Sequence, residues 1–306
     1  MKILIIHFGA LGDLLLSRLS LLSLRDFFKQ AEFHFIGHSY LVSLIKEEMD
    51  IKHIYEADKF LFLLYQKEGK KLWEKYDKIV IFARKFPCQW QENLKNVPTL
   101  FIQTIPAEDI KIPIFEFQFN QIRRCLPIEG KLSFKPLKVK NKRSFTFDLL
   151  IHPGSGSPFK NWPAKNFVKV IRHFAHFKLG LISGPADEAP TQEIVSQLGE
   201  ASFKLSVLRG HSLPEIARII KDSKAYLGND SGISHLAAAV GTSSFIIFGP
   251  TDFHLWRPWG ETTIFAPKID CAPCDEVLRR KCPHRKCLEQ IRPEEVIATL
   301  KRHFCL

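Results

Sequence analysis

The sequence predicts an α/β protein whose parallel strands are connected by helices. Short apolar runs alternate with amphipathic stretches along most of the chain, and turns rich in glycine, serine or proline follow several of these runs. Strands that alternate with helices form βαβ units, in which the strands are parallel. The 306 residues are enough for two such domains. We expect these domains at residues 1–143 and 144–306, joined by the basic stretch 135–143.

The first domain begins with an apolar strand at 2–8, a glycine loop, and a helix that runs to about residue 28. The loop spacing Gly9-x-x-Gly12 lacks the third glycine of the dinucleotide fingerprint, and the loop is not a P-loop. Asp13 stands at the helix N-terminus, where a carboxylate complements the dipole and is also placed to act as a general base. Further strands are expected at 32–36, 51–55, 78–82 and 99–102, with an irregular stretch at 105–143.

The second domain begins with a strand at 144–151, followed by a loop that contains Ser155 and Lys160. Glycine and serine at a strand end allow close backbone approach to a ligand, and a lysine there can bind phosphate. The alternative is a surface loop whose Trp162 packs on the next helix. A later strand end carries Gly184 and Glu188, which we expect to face the same crevice. The remaining strands are expected at 178–183 and 203–207, and the helices at 164–174, 187–198, 213–221 and 293–303.

Residues 225–251 form the unit around which we expect the rest of this domain to be organised. A strand at 225–228 leads through a polar turn into a helix at 233–240, and a second strand follows at 244–248. Open α/β sheets bind ligands at the carboxyl ends of their strands, and a helix N-terminus favours phosphate. The candidate residues there are Asp230, Ser231, Gly232, His235 and Thr251. The alternative is that Asp230 and Ser231 only cap the helix and that His235 is structural.

The composition indicates an ordinary globular protein with a basic surface. The net charge is +12, and residues 1–143 hold 24 basic against 16 acidic side chains. Such a surface suits nucleic acid, anionic lipid or a phosphorylated acceptor. We find no zinc finger, basic helix or ribonucleoprotein motif that favours nucleic acid. No segment reads as a membrane span or a signal peptide, so we expect a cytoplasmic protein.

Four cysteines lie near the end of the chain. Cys271 and Cys274 have a metal-ligand spacing, whereas four residues separate Cys282 from Cys287. Free thiols are the preferred interpretation, because disulfides are uncommon in the cytosol. A structural zinc site at these four positions is the alternative. No cofactor and no catalytic metal are expected.

Three separated stretches together resemble one known family. They are residues 9–13, residues 152–163, and residues 229–235 with their continuation at 249–251. This combination resembles glycosyltransferase family 9, the ADP-heptose:lipopolysaccharide heptosyltransferases. The resemblance covers nearly the whole chain and includes the cysteine-bearing segment. One departure is Leu19, near which relatives often have a proline, and the role of His7 is open.

The resemblance implies a GT-B architecture of two Rossmann-like, doubly wound domains that face each other across a cleft. The last helix, at about 293–304, would pack back on the N-terminal, acceptor-side domain. Asp13 would be the general base, Lys160 and the amides at Ser231 and Gly232 would hold the diphosphate, and Asp230 and His235 would orient the donor. The other residues expected to bind the donor are Gly12, Ser155, Gly184, Glu188 and Thr251.

The resemblance implies inverting transfer of a heptose, or a related sugar, from an ADP-sugar to a lipopolysaccharide-core-type acceptor. The acceptor would be an anionic glycolipid, reached by peripheral contact with the cytoplasmic face of the inner membrane. One alternative is a catalytically silent subunit that binds a nucleotide sugar, and another is a family member with a different donor and acceptor. A third class, the nicotinamide-dependent oxidoreductases, is not supported by the sequence. Such enzymes have an acidic residue after the second strand, where this chain has Gly37-His38-Ser39.

Overall fold

The computed structural model describes residues 1–60, 66, 70–86, 88–128, 133–139 and 146–306. The chain divides into two units, Met1–Lys138 (unit 1) and Val139–Leu306 (unit 2). The expected boundary between residues 143 and 144 lies outside the described residues. The expected exposed linker is described only to residue 139, and within it Leu137 is buried.

Unit 1 alternates strands and helices, as the apolar runs predict. Its strands are β1 (Lys2–His7), β2 (Glu32–Gly37), β3 (Ile51–Glu56), β4 (Lys78–Ala83) and β5 (Thr99–Gln103). Its helices are α1 (Leu11–Phe27), α2 (Ser39–Val42), α3 (Ala57–Phe60), α4 (Lys70–Trp73), α5 (Cys88–Leu94) and α6 (Ile114–Cys125).

The strands of unit 1 form a parallel sheet in the order β3-β2-β1-β4-β5. Apolar side chains of β1 and β4, among them Leu4, Ile6 and Ile81, pack with the buried Trp73 on one face of the sheet. The strand order reverses direction between β1 and β4. The carboxyl ends of those two strands are therefore the switch point at which such sheets bind ligands.

Unit 2 contains the longer series of elements. Its strands are β6 (Leu149–His152), β7 (Leu179–Ile182), β8 (Leu205–Leu208), β9 (Ala225–Asn229), β10 (Ser243–Ile247) and β11 (Thr262–Phe265). Its helices are α7 (Ala164–His173), α8 (Glu188–Leu198), α9 (Leu213–Lys221), α10 (Gly232–Val240), α11 (Phe253–Trp256), α12 (Glu276–Lys281), α13 (Lys286–Glu289) and α14 (Pro293–His303).

The sheet of unit 2 is parallel and has the order β11-β10-β9-β6-β7-β8. Counted from β6, this is the 3-2-1-4-5-6 order of a complete Rossmann sheet, with its switch point between β6 and β9. The register pairs Ile151 with Leu227 and His152 with Gly228. The loops that leave β6 and β9 therefore begin side by side.

The last helix, α14, belongs to the core of unit 2. Val296 and Leu300 are fully buried in a cluster with Phe167, Phe174 and other apolar side chains of that unit. The apolar positions of α14 are thus used within unit 2, where the helix packs against α7. The expected packing of this helix on the first domain stays a prediction.

Helix α6 and strand β11 are among the elements that differ from the sequence-based expectation. Residues 105–143 were expected to be irregular, yet Ile114–Cys125 is a helix whose Phe115, Phe119 and Ile122 are buried at helical spacing. A further strand, Thr262–Phe265, extends the second sheet beyond β10. Among the described residues, none of the helices is both long enough and apolar enough to cross a membrane.

Candidate functional site

Asn229, at the end of β9, joins this strand end to the loop that follows β6 at the switch point of unit 2. Its side-chain amide donates to the carbonyl of Pro153 at 2.6 Å, and its side-chain oxygen accepts the backbone N–H of Trp162 at 3.0 Å. An asparagine can serve both partners because its amide carries a donor and an acceptor. Asn229 is fully buried, so this bridge is sheltered from water.

A buried histidine at the end of β6 connects three strand ends. His152 Nε2 lies 2.9 Å from Asp187 Oδ2, and its Nδ1 lies 3.3 Å from Ser231 Oγ. Because an ionised carboxylate only accepts hydrogen bonds, Nε2 carries a proton and donates it to Asp187. The pair links the loop after β7 to the loops after β6 and β9.

Asp187 is held in its ionised form by its neighbours. Burial acts to raise the pKa of its carboxyl, but the hydrogen bond and charge of His152 and the N–H of Gly184 outweigh it, so the pKa lies below its ordinary value. The backbone of Gly154 lies directly beside this carboxylate. A Cβ built at position 154 would stand 1.7 Å from Asp187 Oδ1, so only glycine fits beside the carboxylate in this arrangement.

The N-terminus of α10 is capped from within the same network. Ser231 Oγ accepts the N–H of Ser234 at 3.3 Å, and the Ser231 carbonyl accepts the N–H of His235. The Ser234 hydroxyl lies 2.9 Å from the hydroxyl of the buried Tyr226. Helix geometry leaves the N–H groups of Gly232 and the following residue without intrahelical acceptors, so they can receive an anion.

A lysine adds positive charge beside this helix end. Lys160 Nζ lies 3.0 Å from Asp230 Oδ2, and only 18% and 7% of the two side chains are exposed. Asp230 lies two residues before α10 begins. The structure thus brings together Lys160, Asp230, Ser231 and Gly232, four of the residues that the sequence singled out.

The other predicted residues of unit 2 lie in different surroundings. The Ser155 hydroxyl is engaged within its own loop, with Asn161 Oδ1 at 2.7 Å. Glu188 is exposed and contacts Arg209 and Gln192 on the protein surface. Gly184 donates its N–H to Asp187.

His235 and Thr251 are the two remaining candidates. His235 is buried in the first turn of α10. The hydroxyl of Thr251 is buried and, among the described residues, has no hydrogen-bond partner. A buried hydroxyl without a partner is costly, which a ligand that bonds to it would relieve. Their assignment to a ligand stays a prediction.

In unit 1, Asp13 stands in the first turn of α1, with Gly12 just before it, at the carboxyl end of β1. Its side-chain Oδ2 accepts the N–H of Ala10 at 3.0 Å, which fixes the carboxylate at the helix N-terminus. Asp13 is half-buried, so part of the residue remains accessible to solvent. This position suits a group that exchanges a proton with a bound molecule.

His7 lies behind Asp13 and is buried. Its Nδ1 accepts the N–H of Gly9 at 3.2 Å, so in the neutral ring Nε2 carries the proton, and it contacts Ser17 Oγ at 3.1 Å. Ser17 in turn donates to the carbonyl of Asp13. Burial lowers the pKa of His7 to about 4, although the charge of Asp13 acts in the opposite direction.

The four C-terminal cysteines are free thiols in the structure. Among the described residues, Glu32, His34 and His53 form the one group of three or more potential ligands whose atoms all lie within 4.8 Å of one another. Cys271 is exposed and Cys287 is buried. Both interpretations of these four cysteines, free thiols and a structural zinc site, stay predictions.

Sequence reasoning missed three polar residues at the switch point, Asn229, His152 and Asp187, as members of the site. All three lie in stretches that were singled out, but their roles depend on which strands are neighbours. A signal was present for one of them, because a histidine directly before Pro153 ends an otherwise apolar strand. Such an abrupt polar residue indicates a buried hydrogen-bond partner elsewhere in the fold.

Fold and site together define an α/β protein with two Rossmann-ordered sheets and, at the second switch point, a lysine beside a capped helix N-terminus. Residues 130–285, more than half of the chain, match the model of glycosyltransferase family 9 (heptosyltransferase). The chain therefore belongs to glycosyltransferase family 9, the family that the three motif stretches resemble.

Known relatives and solved structures agree with this assignment. Lipooligosaccharide heptosyltransferase 2 of Campylobacter jejuni is 28% identical over 95% of this chain and 94% of its own length. The structure of the Escherichia coli ADP-heptose LPS heptosyltransferase II has a TM-score of 0.79 at 16% identity and covers 99% of this chain and 98% of its own. A family 9 glycosyltransferase from Veillonella parvula has a TM-score of 0.78 at 17% identity, with 99% and 96% covered. These likenesses confirm the predicted α/β fold of GT-B type.

Proposed function

We propose that this protein transfers a heptose, or a closely related sugar, from an ADP-linked donor to an acceptor of the lipopolysaccharide-core type. The observation that carries the proposal is the joint placement of Lys160 and the capped N-terminus of α10 at the switch point of unit 2. A nucleoside diphosphate leaves with growing negative charge, which a lysine and oriented N–H groups stabilise.

The contacts of His152 with Asp187 and Ser231 hold together the loops that form the proposed donor site. They join the loops that follow β6, β7 and β9, and Ser231 caps the N-terminus of α10. Hydrogen-bond donors that the fold already holds in place need no reorganisation as negative charge develops on the leaving group. We therefore assign these three residues a positioning role, and we assign diphosphate binding to Lys160 and the α10 amides.

Asp13 is proposed as the general base. Its half-buried carboxylate takes the proton of the acceptor hydroxyl as that oxygen attacks the anomeric carbon, and the ADP leaves from the opposite face with inversion. Lys160 and the helix end supply the charge for the leaving group, and the sequence contains no Asp-x-Asp pair. We propose that the transfer step proceeds without a divalent metal, which activity assays in the presence of EDTA test.

The proposed donor has named precedents among the structural neighbours. One is an Escherichia coli heptosyltransferase solved with ADP, and another structure of it holds ADP-2-deoxy-2-fluoro heptose. The curated relatives carry lipooligosaccharide or lipopolysaccharide heptosyltransferase names. For this chain we propose the same donor class and a phosphorylated glycolipid acceptor, reached at the cytoplasmic face of the inner membrane.

The test is isothermal titration of the purified protein with ADP, ADP-heptose, UDP-glucose and NAD. We expect ADP and ADP-heptose to bind, with at least about tenfold weaker binding in Lys160→Ala, because one charge-assisted contact is worth about 1.5–3 kcal/mol. Lys165→Ala, an exposed lysine in α7, is the matched control and should bind like the unaltered protein.

Each other outcome has a definite meaning. Binding of UDP-glucose alone retains a sugar transferase but removes the ADP-heptose assignment. Binding of NAD alone overturns the proposal. Donor binding without turnover on any core-type acceptor supports a silent subunit, and full transfer by Asp13→Asn removes the role of Asp13.

A further inference from the structure

Glu32, His34 and His53 form a polar group in unit 1, which we call the edge cluster. Glu32 and His34 lie two residues apart on β2, so their side chains point to the same face of the sheet. His53 lies on β3 directly opposite His34 in the parallel register. The potential ligand atoms of the three side chains all lie within 4.8 Å of one another.

The chemistry of the edge cluster is that of a transition-metal site. Two imidazoles and one carboxylate are a ligand set that proteins use for Zn²⁺, with a fourth position left for water. Tetrahedral bonds of about 2.0 Å place ligand atoms roughly 3.3 Å apart, so the 2.6 Å contact between Glu32 Oε1 and His34 Nε2 has to widen around an ion. His53 is exposed, so its side chain can rotate to take its place around that ion.

The central histidine is already oriented by neighbouring groups. His34 Nδ1 lies 2.9 Å from the hydroxyl of the buried Tyr76, and His34 Nε2 lies 2.6 Å from Glu32 Oε1. The Tyr55 hydroxyl lies 3.3 Å from that of Tyr76 and continues the chain of contacts. Metal-binding histidines characteristically use their second ring nitrogen in this way, which fixes the tautomer and the ring plane.

An ion can reach the cluster from solvent. The side chain of His34 is 7% exposed, whereas that of Glu32 is 39% exposed and His53 lies on the surface. The buried imidazole supplies a rigid ligand, and the two exposed ligands leave an entry path, as a workable metal site requires. The positive charge of Lys2 acts on Glu32 and therefore opposes the binding of a metal ion there.

We propose that the edge cluster binds one divalent transition-metal ion, Zn²⁺ in the first instance, through Glu32 Oε1, His34 Nε2 and an imidazole nitrogen of His53. The ion replaces the hydrogen bond between Glu32 and His34 and joins β2 to β3 through side chains as well as through the backbone. The inference concerns unit 1 alone and is independent of the proposed transfer reaction.

The experiment must separate this cluster from the cysteines, because thiolates are also zinc ligands. We would titrate Zn²⁺ into the EDTA-treated full chain carrying Cys271→Ser, Cys274→Ser and Cys282→Ser, followed by calorimetry. We expect one bound ion, with affinity at least about 100-fold lower in His53→Ala. His211→Ala, another exposed histidine, is the matched control and should bind normally.

Two further variants test the neighbours of the cluster. Tyr76→Phe should weaken binding by about 10-fold, the lower end of what loss of an outer-shell partner costs. Lys2→Ala should strengthen binding, because it removes a positive charge that acts on Glu32. In the cysteine-substituted chain, the midpoint of thermal unfolding should rise when Zn²⁺ is added. In the same chain with His53→Ala, the midpoint should stay constant.

Several results would overturn the proposal. These are absence of binding in the cysteine-substituted chain, or equal affinity in His53→Ala and the parent. Cobalt substitution in the cysteine-substituted chain supplies the third criterion. If Co²⁺ gives the same d–d absorption in that chain and in its His53→Ala variant, the metal binds elsewhere and the edge cluster is not a site.

Discussion

Position 154 has space for glycine only, and a substitution there tests the His152–Asp187 pair. A Cβ would stand 1.7 Å from Asp187 Oδ1 and 2.3 Å from its Cγ. We expect Gly154→Ala to displace the carboxylate, lower the free energy of unfolding by about 1–3 kcal/mol and weaken ADP binding. Chemical denaturation and calorimetry measure both effects.

Gly156→Ala is the control for this change, because it lies in the same loop and a Cβ there meets nothing within 4 Å. It should leave ADP binding unchanged. Equal effects of the two substitutions would show that loop flexibility, rather than the contact with Asp187, is what the glycine at 154 provides.

His7 predicts a pH dependence of stability. Its pKa is about 4 in the folded protein and ordinarily 6.5, so the unfolded chain binds the proton more readily. Stability therefore falls as the pH drops from 6.5 to 4, by roughly 3 kcal/mol, and this contribution is constant above and below that window. Denaturation curves across this range measure the slope.

The variant His7→Asn isolates this effect. Asparagine retains an acceptor for the N–H of Gly9 but does not titrate. The difference in unfolding free energy between the parent and the variant should therefore shrink as the pH falls from 6.5 to 4. A constant difference would mean that His7 is protonated in the folded protein.

For individual residues, the sequence predicted which loops carry the site but not how their side chains pair. Lys160 and Asp230 were both named, but they are 70 positions apart and their contact follows from the sheet order. The link between His152 and Asp187 spans 35 positions for the same reason. Pairings of this kind depend on tertiary structure, which motif spacing does not contain.

Among the elements, α14 offers the clearest test of how unit 2 is held together. Leu300 is fully buried in the unit 2 core. We expect Leu300→Ala to lower the free energy of unfolding by about 2–5 kcal/mol, because the lost side chain leaves a cavity. Ala298→Ser, at an exposed position on the same helix, should change it by less than about 0.5 kcal/mol.

A neutral result for Leu300→Ala would contradict the placement of this helix in the core of unit 2. Trp162 is a fluorescent probe of the same region, because its indole N–H donates to the carbonyl of Ile291 at 2.9 Å. Its fluorescence should shift in Leu300→Ala if the start of α14 moves.

The elements themselves were largely predictable, with informative exceptions. The helices Leu213–Lys221 and Pro293–His303 have the predicted bounds, because proline near each start and the apolar period mark them. Helix α6 was missed because prolines and basic residues around it suggested a loop. Its apolar period was present in the sequence, and in this case the period was the better guide.

For the whole molecule, the excess of basic side chains predicts an electrostatic contact with anionic membranes. The net charge is +12. We expect the protein to cosediment with phosphatidylglycerol-containing vesicles. Binding should fall at least about threefold between about 0.1 and 1 M salt, as the screening length shortens from about 10 to 3 Å.

Vesicles of pure phosphatidylcholine are the control and should bind little protein at either salt concentration. Binding that is equal on both kinds of vesicle, or that is insensitive to salt, would remove electrostatic attraction as the basis of membrane contact.

The fold class could be predicted from the alternation of apolar runs and helices, but the strand order could not. Both sheets reverse direction beside their first strand, which places β1 next to β4 and β6 next to β9. These neighbours are far apart in sequence and are selected by how helices cover both faces of the sheet. The alternation indicates a doubly wound pattern, and the family resemblance adds the Rossmann-like order of each domain.

The close approach of Gly154 to Asp187 also constrains how sequences of this kind can diverge. A larger residue at position 154 displaces the carboxylate of Asp187, and that displacement takes the acceptor of His152 away. A change at any one of the three positions is therefore best tolerated when the other two change with it. In an alignment of descendants, we expect residues 152, 154 and 187 to vary together or not at all.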